Sequence, residues 1–398
     1  MFAGSAPRLV SSGSMLISLV GTTFCVVNRV KAKSGTKMML GDLIPKDLHD
    51  EVSVALSSFS LLLILATGLP WVRSDYWTFR ALEYPRFQKL LLCLALLAIW
   101  VLVWPEVPGA YYISAALLAG CAGYLFYKIV PYTKLYPKEM KEVEPAGKDN
   151  TISFFTANVY QDNRNYNRII TQIGETDPDV ILLLETDTGW AEAMQSLKQE
   201  YPHFLEQPQG NTYGLLFYSR FALQNSGLIC RVKEDIPSIE ATIILPSGQP
   251  VKLYGLHPEP PAPEETLRTT AKDKELMLVA FEAKKCNIPV IVLGDLNDVA
   301  WSYTTELFRK TSRLLDPRRG RGFYATFSAK SRFVRFPLDY IFCSDDFGLL
   351  KMKRMPYNGS DHFAMFVCLH YDESLKRQQE TAKADGKEIR DAKEKAAQ

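Results

Sequence analysis

Val290-Ile291-Val292-Leu293-Gly294-Asp295-Leu296-Asn297 is an apolar run that ends in a glycine, an acid and an amide. A short, β-branched run of this kind reads as a strand buried on both faces, so its polar residues arrive where the strand stops. The pattern recurs. Val180-Ile181-Leu182-Leu183-Leu184 is closed by Glu185, Ile152-Ser153-Phe154-Phe155-Thr156-Ala157 by Asn158, and Val251-Lys252-Leu253-Tyr254-Gly255-Leu256 by His257. Leu338-Asp339-Tyr340-Ile341 sets an acid in another apolar run, and Gly359-Ser360-Asp361-His362 stands at the mouth of Phe363-Ala364-Met365-Phe366-Val367. A β-scaffold delivers polar side chains to one rim in this way, and the set suits metal-assisted phosphate ester chemistry.

The 398 residues allow one large catalytic domain and a further region. A formal charge of +2 names no partner. Its distribution says more: between 309 and 335, Arg309, Lys310, Arg313, Arg318, Arg319, Arg321, Lys330, Arg332 and Arg335 face the single acid Asp316. Such a stretch between two candidate motifs favours an anionic substrate over a plain solvated loop. The seven cysteines show no CxxC pair and no metal-ligand spacing; they read as forming no dense disulfide framework, which leans weakly toward a reducing compartment. Cys230, Cys286, Cys343 and Cys368 read as small buried hydrophobes.

The first third reads as membrane-embedded. Segments 52–71, 87–104 and 109–130 are about long enough to cross the ~30 Å hydrocarbon layer, and Trp71, Trp77, Trp100, Trp104, Tyr111, Tyr112 and Tyr127 cluster near their ends as an interfacial belt would. Residues 9–30 are a weaker fourth candidate. Lys128, Lys134, Lys138 and Lys141 put the C-terminal domain in the cytoplasm by the positive-inside rule, whereas Arg29, Lys31, Lys33 and Lys37 argue the reverse, so the side stays open. The division expected is an N-terminal segment 1–50, a region of three transmembrane helices 51–131, a linker 132–150, an α/β catalytic domain 151–371 and a charged tail 372–398. The tail lacks an apolar stripe and reads as disordered or as a solvated helix. Strands are expected at 151–157, 179–185, 213–219, 250–256, 289–295, 337–343 and 362–369, with helices at 164–175, 188–200, 264–285 and 302–312, the last capped by Ser302.

Each polar residue has a chemical reading and a plain one. Glu185 offers a hard cation the carboxylate it prefers, and Asn158 a neutral oxygen, although either alone is more often a turn residue. Asp295 and Asn297, two apart, would point the same way along a strand and set an acceptor beside an amide donor; an Asx turn is the alternative. His362 can move a proton near neutral pH, with Asp339 as the carboxylate that fixes its tautomer, because Asp361 as an immediate neighbour points elsewhere. His257 can donate to a phosphoryl oxygen. His203 and His370 read as structural. In Gly320-Arg321-Gly322-Phe323-Tyr324, Arg321 offers a phosphate fork and Tyr324 a stacking face, against an ordinary turn with aromatic packing.

Residues 151–371 resemble the endonuclease/exonuclease/phosphatase superfamily, the DNase I-like hydrolases. The order is strand–Asn (Asn158), strand–Glu (Glu185), Gly-x-His-Pro (His257), Gly-Asp-x-Asn (Asp295, Asn297), Asp-Tyr-Ile (Asp339) and Ser-Asp-His (Ser360, Asp361, His362). The resemblance, to a membrane-anchored member of bacterial type, implies a four-layer α/β sandwich of two packed sheets flanked by helices. It also implies Mg²⁺, with Mn²⁺ as the alternative, held by Glu185 with Asn158 and Asp361. Asp295 would position the attacking water, Asn297 and His257 would stabilise the pentacovalent phosphate, and His362, oriented by Asp339, would serve as acid/base or as a charged clamp.

The expectation is therefore an integral protein of the bacterial plasma (inner) membrane that hydrolyses phosphodiesters or phosphomonoesters. The substrate would be a nucleic acid or a phospholipid headgroup, and the bilayer is its partner, with no obligate protein partner evident. The alternative is a silent membrane scaffold that binds phosphate groups.

Overall fold

The computed structural model describes residues 46–103, 112–144, 147–262 and 265–398, the side chains of 46–50 and 103 excepted. Helices α1 (Lys46–Gly68), α2 (Trp77–Ala81), α3 (Arg86–Val103) and α4 (Tyr112–Ile129) precede the strands. Then come β1 (Thr151–Asn158), α5 (Tyr166–Thr176), β2 (Val180–Leu184), α6 (Thr188–Ala193), β3 (His203–Gln207), β4 (Leu215–Ser219), β5 (Leu223–Ile229), β6 (Ser238–Ile244) and β7 (Pro250–Leu256). The chain closes with α7 (Thr270–Lys285), β8 (Val290–Asp295), α8 (Tyr303–Ser312), β9 (Asp339–Cys343), β10 (Phe347–Arg354), β11 (Met365–Tyr371) and α9 (Gly386–Ala397).

One sheet runs β10-β11-β1-β2-β4-β3, the other β5-β6-β7-β8-β9. Each has one parallel pair at its heart, β1 with β2 and β7 with β8, and the other pairings are antiparallel. This is the expected sandwich of two mixed sheets. Its layering follows from the two-residue period of a strand. Ile152 and Phe154, Leu182 and Leu184, Leu253, Ile291 and Leu293, and Ile341 face the other sheet in a shared core. The alternate residues Phe155, Ala157, Ile181 and Leu183 pack under α5 and α6. Val290 and Val292 pack under α7 and α8. Both faces are buried, which is why these strands read as unbroken apolar runs.

The same parity carries to the end of the sandwich. Asn158, His257, Asp295 and Asp339 each lie an even number of residues from an inward-facing neighbour, at the end where β1, β7 and β8 stop and β9 begins. Four polar side chains therefore converge on one rim.

Several expectations are corrected. The strands at 203–207, 223–229, 238–244 and 347–354 have no counterpart among those expected; β3 and β5 are polar edge strands, and β6 is interrupted by Glu240 and Thr242. α7 begins at Thr270 rather than at 264, while residues 263 and 264 lie outside the described residues. The linker is built into the domain: Met140 is in the inter-sheet core, Val143 N–H and Lys141 O bond to Leu349, and half-buried Glu139 pairs with Arg309 and Arg319. The tail is helical. Asp385 and Glu388 form a capping box, Ala392 is buried against the α7 side, and Lys395, Glu388 and Asp391 bond to Asp273, Lys310 and Tyr303. Charge pairs plus small apolar contacts at Ala392 and Ala396 hold it without an apolar stripe. Cys230 is exposed.

Among the described residues, Glu51–Trp71 and Tyr112–Tyr132 are long and apolar enough to cross a membrane. α3 packs with both around Cys93, Trp100, Leu118 and Leu125. Residues 104–111, like the whole candidate span 9–30, lie outside the described residues.

Candidate active site

Asn158, the last residue of β1, is buried, and its Oδ1 accepts the Tyr160 N–H at 3.1 Å. That orients Nδ2 toward two carboxylates, Glu185 Oε1 at 2.7 Å and Asp295 Oδ2 at 3.1 Å. The neutral oxygen expected to face a cation is thus turned to the backbone, and Asn158 instead holds Glu185 against Asp295. Glu185 reaches the rim from a left-handed turn after β2, φ 58°. Burial raises its carboxyl above the usual range; Asn158 and His362 oppose the rise and Asp361 adds to it.

Asp295 and Asp339 face each other directly across the antiparallel β8–β9 pair. His362 bridges them: Nδ1 lies 2.9 Å from Asp339 Oδ2 and Nε2 3.6 Å from Asp295 Oδ2. Burial works against charging this imidazole, but Asp339 and Asp295 prevail and push its pKa up to about 10. Burial raises Asp295 to about 7, against the pull of His362. A buried imidazolium therefore stands beside a carboxyl poised near neutrality. The ring rests on Phe327, centroids 5.0 Å apart, and the Asp339 N–H donates to Thr326 Oγ1 at 3.2 Å. Ser360 Oγ donates to the Asn158 carbonyl at 2.8 Å and accepts the His362 N–H at 3.0 Å, tying the last motif to the first strand.

His257 is buried, 5.7 Å from the Tyr213 ring by centroids, and burial lowers its pKa to about 4, so it is neutral; its Nδ1 has no partner among the described residues. Asn297 departs from its expected geometry. β8 ends at Asp295, Asn297 is left-handed (φ 50°), Asp295 Oδ1 accepts the Asn297 N–H at 2.9 Å, and Asn297 Nδ2 donates to Pro258 O at 2.9 Å. This is the Asx turn, and it links the Asp295 loop to the His257 loop. Gly294 permits the close approach: at φ 133° a Cβ there would lie 2.0 Å from Leu256 O.

Arg321 does not reach the rim. It is buried and donates to Met140 O, Pro317 O and Glu142 at 2.6, 2.9 and 3.1 Å. Tyr324 is half-buried, and its neighbour Phe323 packs edge-on against Phe87 and Trp301, which anchors the loop on the helical side. Part of the basic stretch is spoken for in the same way, while Arg313, Lys330 and Arg332 stay exposed. Arg309, Arg318 and Arg319 are buried and paired with Glu139, Asp316 and Glu306. Thr326 and Ser360 are supporting residues that sequence reasoning passed over; Ser360 at least stood inside a quoted motif.

The sequence model of the Endonuclease/Exonuclease/phosphatase family matches residues 155–362, from β1 to the site histidine. The chain belongs to this family. No curated protein matches the sequence. Solved structures similar to this family member include D. rerio TDP2 complexed with a single-strand DNA product (18% identity, 56% of this chain and 100% of that one, TM-score 0.47). The human nocturnin catalytic domain with bound sulfate is another (19%, 56% and 95%, TM-score 0.46). An endonuclease/exonuclease/phosphatase from Beutenbergia cavernae is a third (15%, 56% and 72%, TM-score 0.45).

The donor set can be tested against a divalent ion. Asp295, Asp339 and His362 bring one ligand atom each within 4.8 Å of one another. His362 Nδ1 is committed to Asp339 and its Nε2 faces Asp295 Oδ2 at 3.6 Å, so in this structure the cluster is an ion-paired triad. Glu185, with Asp361 close enough to raise its proton affinity further, supplies carboxylate oxygens of the kind a hard cation prefers. The residues fit the family's divalent ion.

Proposed function

We propose that this family hydrolase is a membrane-anchored, divalent-metal-dependent phosphoesterase. The observation that carries the reading is the unbroken chain Glu185–Asn158–Asp295–His362–Asp339, with contacts of 2.7, 3.1, 3.6 and 2.9 Å. Glu185 and Asp361 would hold Mg²⁺, or Mn²⁺, with Asn158 orienting Glu185. The bound cation supplies charge neutralisation at a phosphoryl oxygen. Asp295, poised near neutrality, takes the proton of the attacking water as the phosphorus–oxygen bond forms. The buried His362 imidazolium, held by Asp339, clamps the phosphoryl group or returns a proton to the leaving oxygen. Neutral His257 offers an N–H to the phosphate, and Asn297 holds the loop on which Asp295 depends.

The anchor is supported by the two 21-residue apolar helices and by side chains such as Leu62, Val101 and Ile113, each about two-thirds exposed in the isolated chain. An apolar belt of this extent is suited to lipid. The substrate is a phosphate ester, of a nucleic acid or of a phospholipid headgroup; the buried arginines weaken the case for nucleic acid that the basic stretch had made, and Arg313, Lys330 and Arg332 remain exposed.

The full chain in detergent or nanodiscs should hydrolyse bis-p-nitrophenyl phosphate only with Mg²⁺ or Mn²⁺. Metal-independent turnover, or turnover that survives both Glu185→Ala and His362→Ala, overturns the reading. Parallel assays on plasmid DNA, short RNA and phospholipid vesicles assign the substrate.

A further inference from the structure

The connection between α1 and α3 runs onto the catalytic domain rather than free between two helices. At one end the Trp77 N–H donates to Leu267 O, and Asp75 accepts from the Thr269 N–H and the Thr270 hydroxyl, each at 2.8 Å. At the other end it meets the loop after β8. The Tyr84 hydroxyl donates to the Asn297 carbonyl at 2.8 Å, and the Trp301 indole N–H donates to the Glu83 carbonyl at 2.8 Å. Arg86 donates to the Trp301 carbonyl at 2.5 Å, and Tyr132, at the foot of α4, to the Ala300 carbonyl at 2.5 Å. The Tyr84 ring packs edge-on against Phe336, centroids 5.5 Å apart.

Four bonds from the helical region thus involve Asn297, Ala300 and Trp301, within six residues of Asp295. They land where the loop needs holding. Asn297 is left-handed at φ 50°, a conformation that persists in a residue with a side chain only when its surroundings over-determine it. Its N–H orients Asp295 Oδ1 and its side chain holds Pro258, the residue after His257.

We propose that Tyr84 is a positioning residue for the reaction and that the membrane-proximal connection is part of the scaffold of the active site. Tyr84 touches neither substrate nor reacting atoms. It acts through the Asn297 carbonyl, which it fixes so that Asp295 stands in register with His362. The proposal rests on the roles proposed above for Asp295 and His362. Because catalytic geometry tolerates little displacement, on the order of 100-fold for a 1 Å misplacement, the effect appears in turnover rather than in substrate binding.

The test is Tyr84→Phe in the full chain in nanodiscs. It keeps the ring against Phe336 and removes only the hydroxyl. The expected result is a kcat about tenfold lower on bis-p-nitrophenyl phosphate with Mg²⁺, a KM within about twofold, a Tm lowered by no more than about 4 °C, and faster amide exchange over 296–300. Tyr76→Phe, on the same connection, should leave all four unchanged. An unaltered kcat in Tyr84→Phe, or a loss that tracks Tm or KM, overturns the positioning role. If the wild-type chain shows no metal-dependent turnover, it is the proposed function that fails. Amide exchange still judges Tyr84 in that case: unchanged protection over 296–300 overturns the positioning, and raised exchange upholds it.

Discussion

Asp339 holds His362 with one oxygen, Oδ2 to Nδ1 at 2.9 Å, and keeps its other oxygen buried without a partner among the described residues. A carboxylate so placed fixes the tautomer of the imidazole and favours its charged form, which burial alone would disfavour.

The pH dependence stems from this pair and Asp295. In the proposed mechanism Asp295 works without its proton and His362 with one, so kcat/KM should rise as pH passes about 7 and fall near 10. Cation binding beside Asp295 favours its ionised form, so saturating Mg²⁺ should move the acid limb to lower pH. Asp339→Asn removes the charge that holds the His362 proton; kcat should drop about 100-fold and the alkaline limb should shift down. A pH–rate profile of wild type and variant checks both, and an unmoved alkaline limb counts against the assignment.

Metal affinity should depend on Asn158 as well as on Glu185. Glu185→Gln removes a ligand and should abolish Mg²⁺-stimulated turnover. Asn158→Ala releases Glu185 and should weaken activation by Mg²⁺ about 10- to 100-fold with the fold intact. Mg²⁺ titrations of turnover, with circular dichroism as the control, separate the two.

Arg321 should behave as a structural residue. Its guanidinium satisfies two buried carbonyls and Glu142, so Arg321→Gln leaves buried acceptors unpaired at a cost of about 1–3 kcal/mol. Tm should fall while KM for bis-p-nitrophenyl phosphate stays within about twofold. A raised KM at unchanged Tm would restore the substrate-binding role read from the sequence.

The C-terminal helix should contribute measurably to stability. Lys395 Nζ meets buried Asp273 at 2.5 Å, and Lys395→Met should cost about 2 kcal/mol by thermal denaturation. Burial opposes ionisation of Asp273, but Lys272, Lys395 and Arg80 hold its carboxyl well below the usual range. A depressed pKa stabilises the fold above the ordinary carboxylate value of about 4 and loses that contribution as pH falls further. The gap in Tm between wild type and Lys395→Met should therefore narrow in acid.

Much of the site was legible because it lies at strand ends. Runs such as 180–184 and 290–295 announce burial on both faces, and the parity of a strand then dictates which side of the sheet Asn158, Asp295 and Asp339 must occupy. What misled was context. Arg309, Arg318, Arg319 and Arg321 look like an anion-binding surface until Glu139, Asp316, Glu306 and Glu142 pair with them, from 179 residues away in the case of Arg321 and Glu142. Asn297 reads as a strand residue until β8 stops at Asp295 and the chain turns left-handed.

The amino-acid sequence by itself determined the family, the order of the catalytic motifs and the two-sheet core, because local periodicity and strand-end chemistry are properties of neighbouring residues. Only the tertiary structure decided which groups meet. It set His362 Nε2 beside Asp295, turned the Asn158 amide onto Glu185 and Asp295, and set Tyr84 on the Asn297 carbonyl, while the Asp339–His362 pair was the one contact already legible. These contacts join segments far apart in the chain, and hydrogen bonds of under 3.2 Å are fixed by packing that no local pattern records.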